Sequence, residues 1–400
     1  MAATTAARTT ALCAMVQAVG GGLGWSVLPP LMPAIARDLG ISHAMGGLVW
    51  GAVSLGVVLS SLLGGAAVDR FGPRRVAGLA LVAGAVACAA RAWAVGPWSL
   101  AVAMLVFGVH IGFCAPAIPK ALAAHVPLAR LARANGLALV GYTLGAAVTV
   151  RLAPTWLAPR VGGWRPTMLV AAGAMLVAAA VWTLLVRDGR SAGSHATLRD
   201  LLHLARNRAL GRVAAMHFLL FGGYLAMLGL LPRALVEGGM SPARVGTAVA
   251  TWLTAAGVAN YVGPWISDRL GRRRPILVTG GAVAGLALCA LALAPPALTI
   301  PLLVVAALGG GCVAPLLFAL PAEIEGVGPA RIGAALGLLT LAGQLGGFAL
   351  PALTGSATQA GGLPGALGAL GLLHLLLLVP ALRMRETAAP ARAPAGAIAA

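Results

Sequence analysis

The signature Asp-Arg-x-Gly-x-Arg-Arg is written twice in this chain, 199 residues apart in a sequence of 400. The first copy is Gly65-Ala66-Ala67-Val68-Asp69-Arg70-Phe71-Gly72-Pro73-Arg74-Arg75. The second is Pro264-Trp265-Ile266-Ser267-Asp268-Arg269-Leu270-Gly271-Arg272-Arg273-Arg274. Each copy follows one apolar run and precedes another. A spacing of half the chain is the mark of an internal duplication, and long apolar runs on both sides place it in a membrane. The chain therefore has to fold as two related helical bundles.

Composition points the same way. Hydrophobic residues make up 60% of the chain, charged residues 9%, and the mean hydropathy is +0.94. A soluble domain carries roughly 25% charged residues. The net charge of +19 would suggest nucleic acid in a soluble protein. Here the arginines stand between apolar runs, where they orient helices, so no nucleic-acid partner is expected. Cys13, Cys88, Cys114, Cys289 and Cys312 all fall in apolar segments with no Cys-x-x-Cys pair. They read as small packing residues, with neither a disulfide frame nor a metal site.

A bilayer requires about 20 apolar residues per helix. Twelve stretches qualify: 11–35, 45–68, 75–95, 98–121, 134–157, 165–186, 211–235, 244–266, 275–294, 298–321, 332–354 and 363–382. The first is too long for a secretory leader and runs through Pro29-Pro30 into a polar loop, so it is read as a span. With the N-terminus inside, seven of the 28 Lys and Arg fall outside: Arg37, Arg91, Arg151, Arg160, Arg165, Arg233 and Arg244. The remaining excess on the inner side satisfies the positive-inside rule. Both termini and both copies of the motif are thus expected in the cytoplasm.

The halves are 1–186 and 211–386, joined by a cytoplasmic linker at 187–210. Thr197–Leu210 alternates leucines with Arg199, Asp200, His203 and Arg206, a pattern suited to the inner leaflet. The tail, 387–400, is Ala, Pro and Arg and is expected to be disordered. Arg133 with Gly136 and Gly145 in span five echoes Arg331 with Gly337 and Gly346 in span eleven, which suggests close helix packing at small residues.

The motif loops can hold one face of the bundles closed. Asp69 and Asp268 can accept from helix N-termini, and Arg70, Arg74, Arg75, Arg269 and Arg273 can pair with carboxylates or helix-end carbonyls. Gly72 and Gly271 stand at the turn. The bland alternative is that the arginines are topology anchors only. The doubled motif, in loops two–three and eight–nine, resembles the major facilitator superfamily, and the resemblance covers the whole chain. The second copy departs from it at Pro264. The resemblance implies an all-α membrane protein of twelve helices in two pseudo-symmetric six-helix bundles. It also implies a site between them at mid-membrane and transport by rocking of the halves. The run Gly108-Val109-His110-Ile111-Gly112 through Pro116 and Lys120, with Arg91, is similar to the cyanate and nitroimidazole permease group. The Gly-Pro-x-x-Gly-Gly ending typical of drug–proton antiporters is missing from span five.

All nine acidic residues fall in loops or at helix ends. Basic groups do reach inward, and an ionised group at a helix centre costs about 2.5–3.5 kcal/mol on insertion scales. His110, mid-span four, and Arg151, in span five, are therefore the substrate-binding candidates. A backbone-bonded packing histidine and a snorkelling arginine are the respective alternatives. Arg91 and Arg233 read as snorkelling and Lys120 as a topology residue. His217 is undecided and His374 reads as packing. Gln17, Trp25, Tyr142, Tyr224 and Gln344 are polar candidates for the same pocket. With no P-loop, zinc spacing or nucleophile motif, no enzyme, cofactor or metal is expected. The expectation is a monomeric bacterial inner-membrane secondary transporter for a small anion or small polar organic solute, with a coupling proton. The alternative is proton-coupled efflux of a hydrophobic drug-like compound.

Overall fold

The computed structural model describes residues 2–186, 204 and 206–386, which are almost entirely helical and contain no extended strand. Helical structure lies over each of the twelve apolar stretches, most ends falling within four residues of those expected, while the first helix begins nine residues earlier, at Ala2, and the fifth six residues earlier, at Leu128. The first stretch is composite. Helix α1 (Ala2–Val16) passes into a π-helical segment, Gln17–Leu23, and then into α2 (Gly24–Ser26) and α3 (Leu28–Leu39). The glycines at 20–22 lower the cost of the wider helix there. Helix α4 is His43–Phe71, α5 Pro73–Ala92 and α6 Pro97–His125. Helix α7 (Leu128–Leu152) ends in a second π-helical segment, Ala153–Leu157, before α8 (Ala158–Val161) and α9 (Trp164–Leu185). The second half contains α10 (Arg208–Glu237), α11 (Pro242–Leu270), α12 (Arg274–Leu293), α13 (Thr299–Ala319), α14 (Gly328–Leu376) and α15 (Leu378–Leu382).

Among the described residues ten stretches are long and apolar enough to cross a membrane. Two differences from the expected twelve have clear causes. Arg331–Leu382 runs as one 52-residue stretch, but Gly362 (φ 63°, ψ −158°) breaks it into two helices. Helix α11 spans 29 residues yet is not among the ten, because Thr247, Thr251, Thr254, Asn260 and the charged pair Asp268-Arg269 dilute its apolar character. Leu79, Leu184 and Leu293 are 72%, 77% and 89% exposed, as lipid-facing leucines are and soluble-domain leucines seldom are.

The duplication is visible in how helices touch. A Cβ built on Gly64 would collide with the backbone of Gly112, and one on Gly263 with that of Cys312. One on Gly145 would collide with the backbone of Ala18, and one on Gly346 with that of Phe218. Each contact recurs about 200 residues later, with backbones in direct approach. The pairing expected at Gly136 and Gly337 is corrected, because both face open space. Only the Gly145 and Gly346 positions carry the packing.

By spatial contact the chain divides into two compact units. The first comprises Met1–Gly193, Tyr224–Thr254 and Gly347–Ala366, and the second Ser194–Gly223, Ala255–Gly346 and Leu367–Ala400. The first has an apolar core around Leu12, Leu81, Leu122 and Trp182. The second has one around Leu220, Leu277, Leu317 and Leu339, which also buries Leu204. The amphipathic reading of Thr197–Arg206, apart from Leu204 and Arg206, and the whole tail 387–400 lie outside the described residues. The side chains of Arg130 and Arg133 do so as well.

Candidate functional site

The two motif loops are built alike and closed by different charges. In both, the glycine has a left-handed backbone, Gly72 at φ 82° and Gly271 at φ 62°. Only glycine adopts that conformation without penalty, which explains its place in the signature. In the first loop Asp69 pairs with Lys120, near the C-terminal end of α6. Lys120, read from the sequence as a topology residue, is thus an ion-pair partner. Arg74 donates to the Thr183 carbonyl at 2.6 Å. Arg70 lies 5.2 Å from the Phe71 ring, and Arg75 is exposed.

In the second loop Arg273, 9% exposed, is the hub. It bonds Asp268 at 2.6 Å, Ser267 at 3.1 Å and Glu323 at 3.0 Å. Burial opposes the charge on Arg273, but the hydrogen bonds and negative charges of Asp268 and Glu323 outweigh it and hold the group above the ordinary arginine range. Asp268 does not cap the following helix as expected. Glu386 does, accepting from the backbone N–H of Arg273 at 2.6 Å and of Arg274 at 3.1 Å. Arg269 stacks on Trp265 at 4.0 Å.

Inside the first unit, α5, α6 and the π-helical segment build a basic cluster. His110 is 2% exposed. Its Nδ1 lies 2.8 Å from the Ala80 carbonyl, and its ring centroid lies 5.2 Å from that of Phe107. The backbone-bonded alternative for His110 therefore describes its Nδ1. Arg91 corrects the sequence reading outright. It does not snorkel but is 0% exposed. Its Nη1 donates to the Gly24 carbonyl at 2.7 Å, and its guanidinium carbon sits 4.0 Å from the Phe107 centroid. Its Nε and Nη2 have no partner.

An aromatic row runs beside this cluster. The Tyr142 and Tyr224 hydroxyls are 3.4 Å apart, and Tyr224 stacks on Trp252 at 5.3 Å. Trp25 lies 6.0 Å from Trp50. A Cβ on Gly21 would stand 2.8 Å from the Tyr142 ring and 3.7 Å from the Gln17 amide. The structure thus brings Gln17 and Tyr142 together at the π-helical segment, with Tyr224 one hydrogen bond away. Arg151 is half-buried, donates to Thr155 at 3.2 Å and packs its backbone on Gly246. Gln344 and His217 lie in the second unit. Gln344 has a buried, unpartnered Oε1, and His217 sits between Phe221 and Phe318.

Arg233, read from the sequence as snorkelling, is instead tied to the Ile41 end of the first unit, its side chain 11% exposed. Arg233 donates to the Ile41 carbonyl at 2.9 Å and to the Ser42 carbonyl at 3.3 Å. It also pairs with Glu237 at 2.8 Å, and Glu237 in turn meets His43 at 2.7 Å. Below it Trp50 donates to the Leu225 carbonyl at 2.7 Å. The i, i+4 spacing of Arg233 and Glu237 was a usable signal. The contacts with residues 41–43 lie about 190 positions away and were not legible.

The family model described as "Major Facilitator Superfamily" matches residues 14–241 and 213–399. The chain is 28% identical to a gallate transporter of Pseudomonas putida over 78% of this chain and 77% of that one. It is 29% identical, over 83% and 84%, to a protein named as a probable nitrate/nitrite transporter, NarK2, of Mycobacterium tuberculosis. In structure it is similar to a bacterial homologue of the human lysosomal transporter Spinster, with a TM-score of 0.77, 14% identity and 95% of both chains covered. That last likeness concerns the fold. A whole-chain match, the doubled loop and the repeated glycine contacts lead to one conclusion: this chain belongs to the Major Facilitator Superfamily and is a membrane transporter, not an enzyme.

Proposed function

We propose that the protein carries a small anion, a carboxylate or an inorganic oxyanion, across a bacterial inner membrane by alternating access. The observation that carries this reading is the distribution of charge. Every described carboxylate stands at a helix end or in a loop. A complete guanidinium, Arg91, is nevertheless buried in the first unit. Such a field attracts anions and repels cations. The relatives named for gallate and for nitrate and nitrite support it. The row Tyr142, Tyr224 and Trp252 suits an aromatic acid, whose ring it can stack and whose hydroxyls it can bond.

In this reading twelve spans form two six-helix halves. Arg331–Leu382 counts as two spans divided at Gly362, and Pro242–Leu270 is the eighth. Both termini and both motif loops face the cytoplasm, and the Arg233 latch faces outward. Asp69, Arg74, Asp268 and Arg273 hold the inner loops, and Arg233 and Glu237 hold the outer end. Breaking one set while the other forms moves access from one side to the other.

The test is uptake by proteoliposomes of labelled nitrate and gallate, with an organic cation as control. Saturable uptake of either anion, inhibited by the other, supports the reading. Transport of the cation alone, unaffected by anions, would refute it and restore hydrophobic efflux as the leading assignment.

A further inference from the structure

We propose that Arg91, Phe107 and His110 form a binding site for one small anion together with one proton. The proposal rests on the anion reading above and assigns its site. It begins with an imbalance. Arg91 presents five N–H donors, yet the structure gives it one carbonyl, Gly24, and one ring face, Phe107. Nε and Nη2 are buried without a partner. Among the described residues its potential counter-charges are engaged elsewhere: Asp38 with Arg165, Asp69 with Lys120, Glu237 with Arg233, and Glu323 with Arg273. A buried guanidinium left so open requires an anion, because its desolvation is otherwise uncompensated.

The neighbouring atoms say where the anion goes. Phe107 presents its face to Arg91 and lies against the His110 ring, so the two basic groups flank one phenyl ring. Facing them are Gly20, in the π-helical stretch, and Gly24, the first residue of α2, where any side chain would crowd the cluster. A Cβ at Gly24 would stand 3.0 Å from Phe107 and 2.8 Å from the Met175 sulfur. A Cβ at Gly20 would stand 3.5 Å from His110 Nε2.

The proton follows from the tautomer. Nδ1 donates to the Ala80 carbonyl, so Nε2 carries the lone pair and takes the proton. No other bond is made or broken, and the proton comes from the aqueous phase that supplies the anion. Imidazolium and guanidinium around one ring repel each other until an anion lies between them, so proton and anion each favour the other's binding. The other titratable groups facing the cluster are the thiols of Cys114, 3.5 Å from Nδ1, and Cys88, on the same helix as Arg91. The Tyr142 ring lies against Gly21, and its hydroxyl meets that of Tyr224.

The experiment uses the purified full chain in detergent, with nitrate and benzoate as probes and thermal stabilisation as the readout. Wild type should bind more tightly as pH falls, by at most about tenfold per pH unit for one linked proton. His110→Asn keeps the Nδ1-type donor but not the titration, and should bind with an affinity independent of pH. Arg91→Met should lose about ten- to a hundredfold at every pH, and Arg91→Lys should recover part of it. Because Arg91→Met can fail to fold, the wild type supplies a second measurement. In weakly buffered solution, adding nitrate should cause net proton uptake. Wild-type affinity in a folded Arg91→Met, or no proton uptake and no anion stabilisation of wild type between pH 5 and 8, overturns the proposal. If anion uptake by proteoliposomes persists in either case, the transport reading survives and only this site fails.

Discussion

Replacing Arg233 by Met should release the latch at the Ile41 end of the first unit. The substitution keeps the apolar stem and removes the guanidinium. Two bonds to the carbonyls of Ile41 and Ser42 go with it, at 2.9 and 3.3 Å. Bonds from a charged donor contribute about 1.5–3 kcal/mol when well buried. The Arg233 side chain is 11% exposed, but the second bond is long, so the pair together contributes about 2–3 kcal/mol. The Glu237 pair adds little, since its carboxylate is 46% exposed and exposed pairs are worth about 0–1 kcal/mol. The total, roughly 2–4 kcal/mol, corresponds to a shift of about 30- to 1000-fold away from the closed latch. Ser54 reports the shift. It is fully buried, and a Cβ on Gly347 would come within 2.5 Å of its hydroxyl. In a chain whose five cysteines are replaced by alanine, Ser54→Cys should react slowly with a membrane-impermeant maleimide. Arg233→Met should raise that rate at least about 30-fold, and Glu237→Gln only a few-fold. A rate unchanged within twofold in a well-folded Arg233→Met would show that these bonds do not hold the end closed.

Asp69→Asn removes the partner of Lys120 and should reduce uptake at least about tenfold while insertion, judged by yield and gel filtration, stays normal. The exchange Asp69→Lys with Lys120→Asp should restore part of it. Arg273→Ala leaves the half-buried Glu323 without its cation and should lower stability by about 2–4 kcal/mol. In thermal unfolding, a double-mutant cycle with Glu323→Ala should show coupling of at least about 1 kcal/mol, and simple additivity would contradict the hub. Gly145→Val should prevent stable folding, because its Cβ would collide with the Ala18 backbone, whereas Gly136→Ala should leave expression and the melting temperature unchanged.

The sequence by itself determined the class of fold and its duplication. Apolar runs must become helices in a bilayer, because no water is there to satisfy an open backbone. A motif repeated at half the chain length can only be a repeated loop. Gly72 and Gly271 were legible because a left-handed turn admits little else. The basic excess in the interior was legible too, because charge in an apolar run is costly and conspicuous. Tertiary structure decided which basic groups are interior. Position along a helix gives depth and leaves the facing side open, so Arg91 read as a snorkelling surface residue until Phe107 and Gly24 were seen to enclose it. It also decided partners across long separations, such as Arg233 with Ile41, Arg273 with Glu323 and Trp50 with Leu225. No spacing rule fixes those, since they depend on which helix ends the packing brings together.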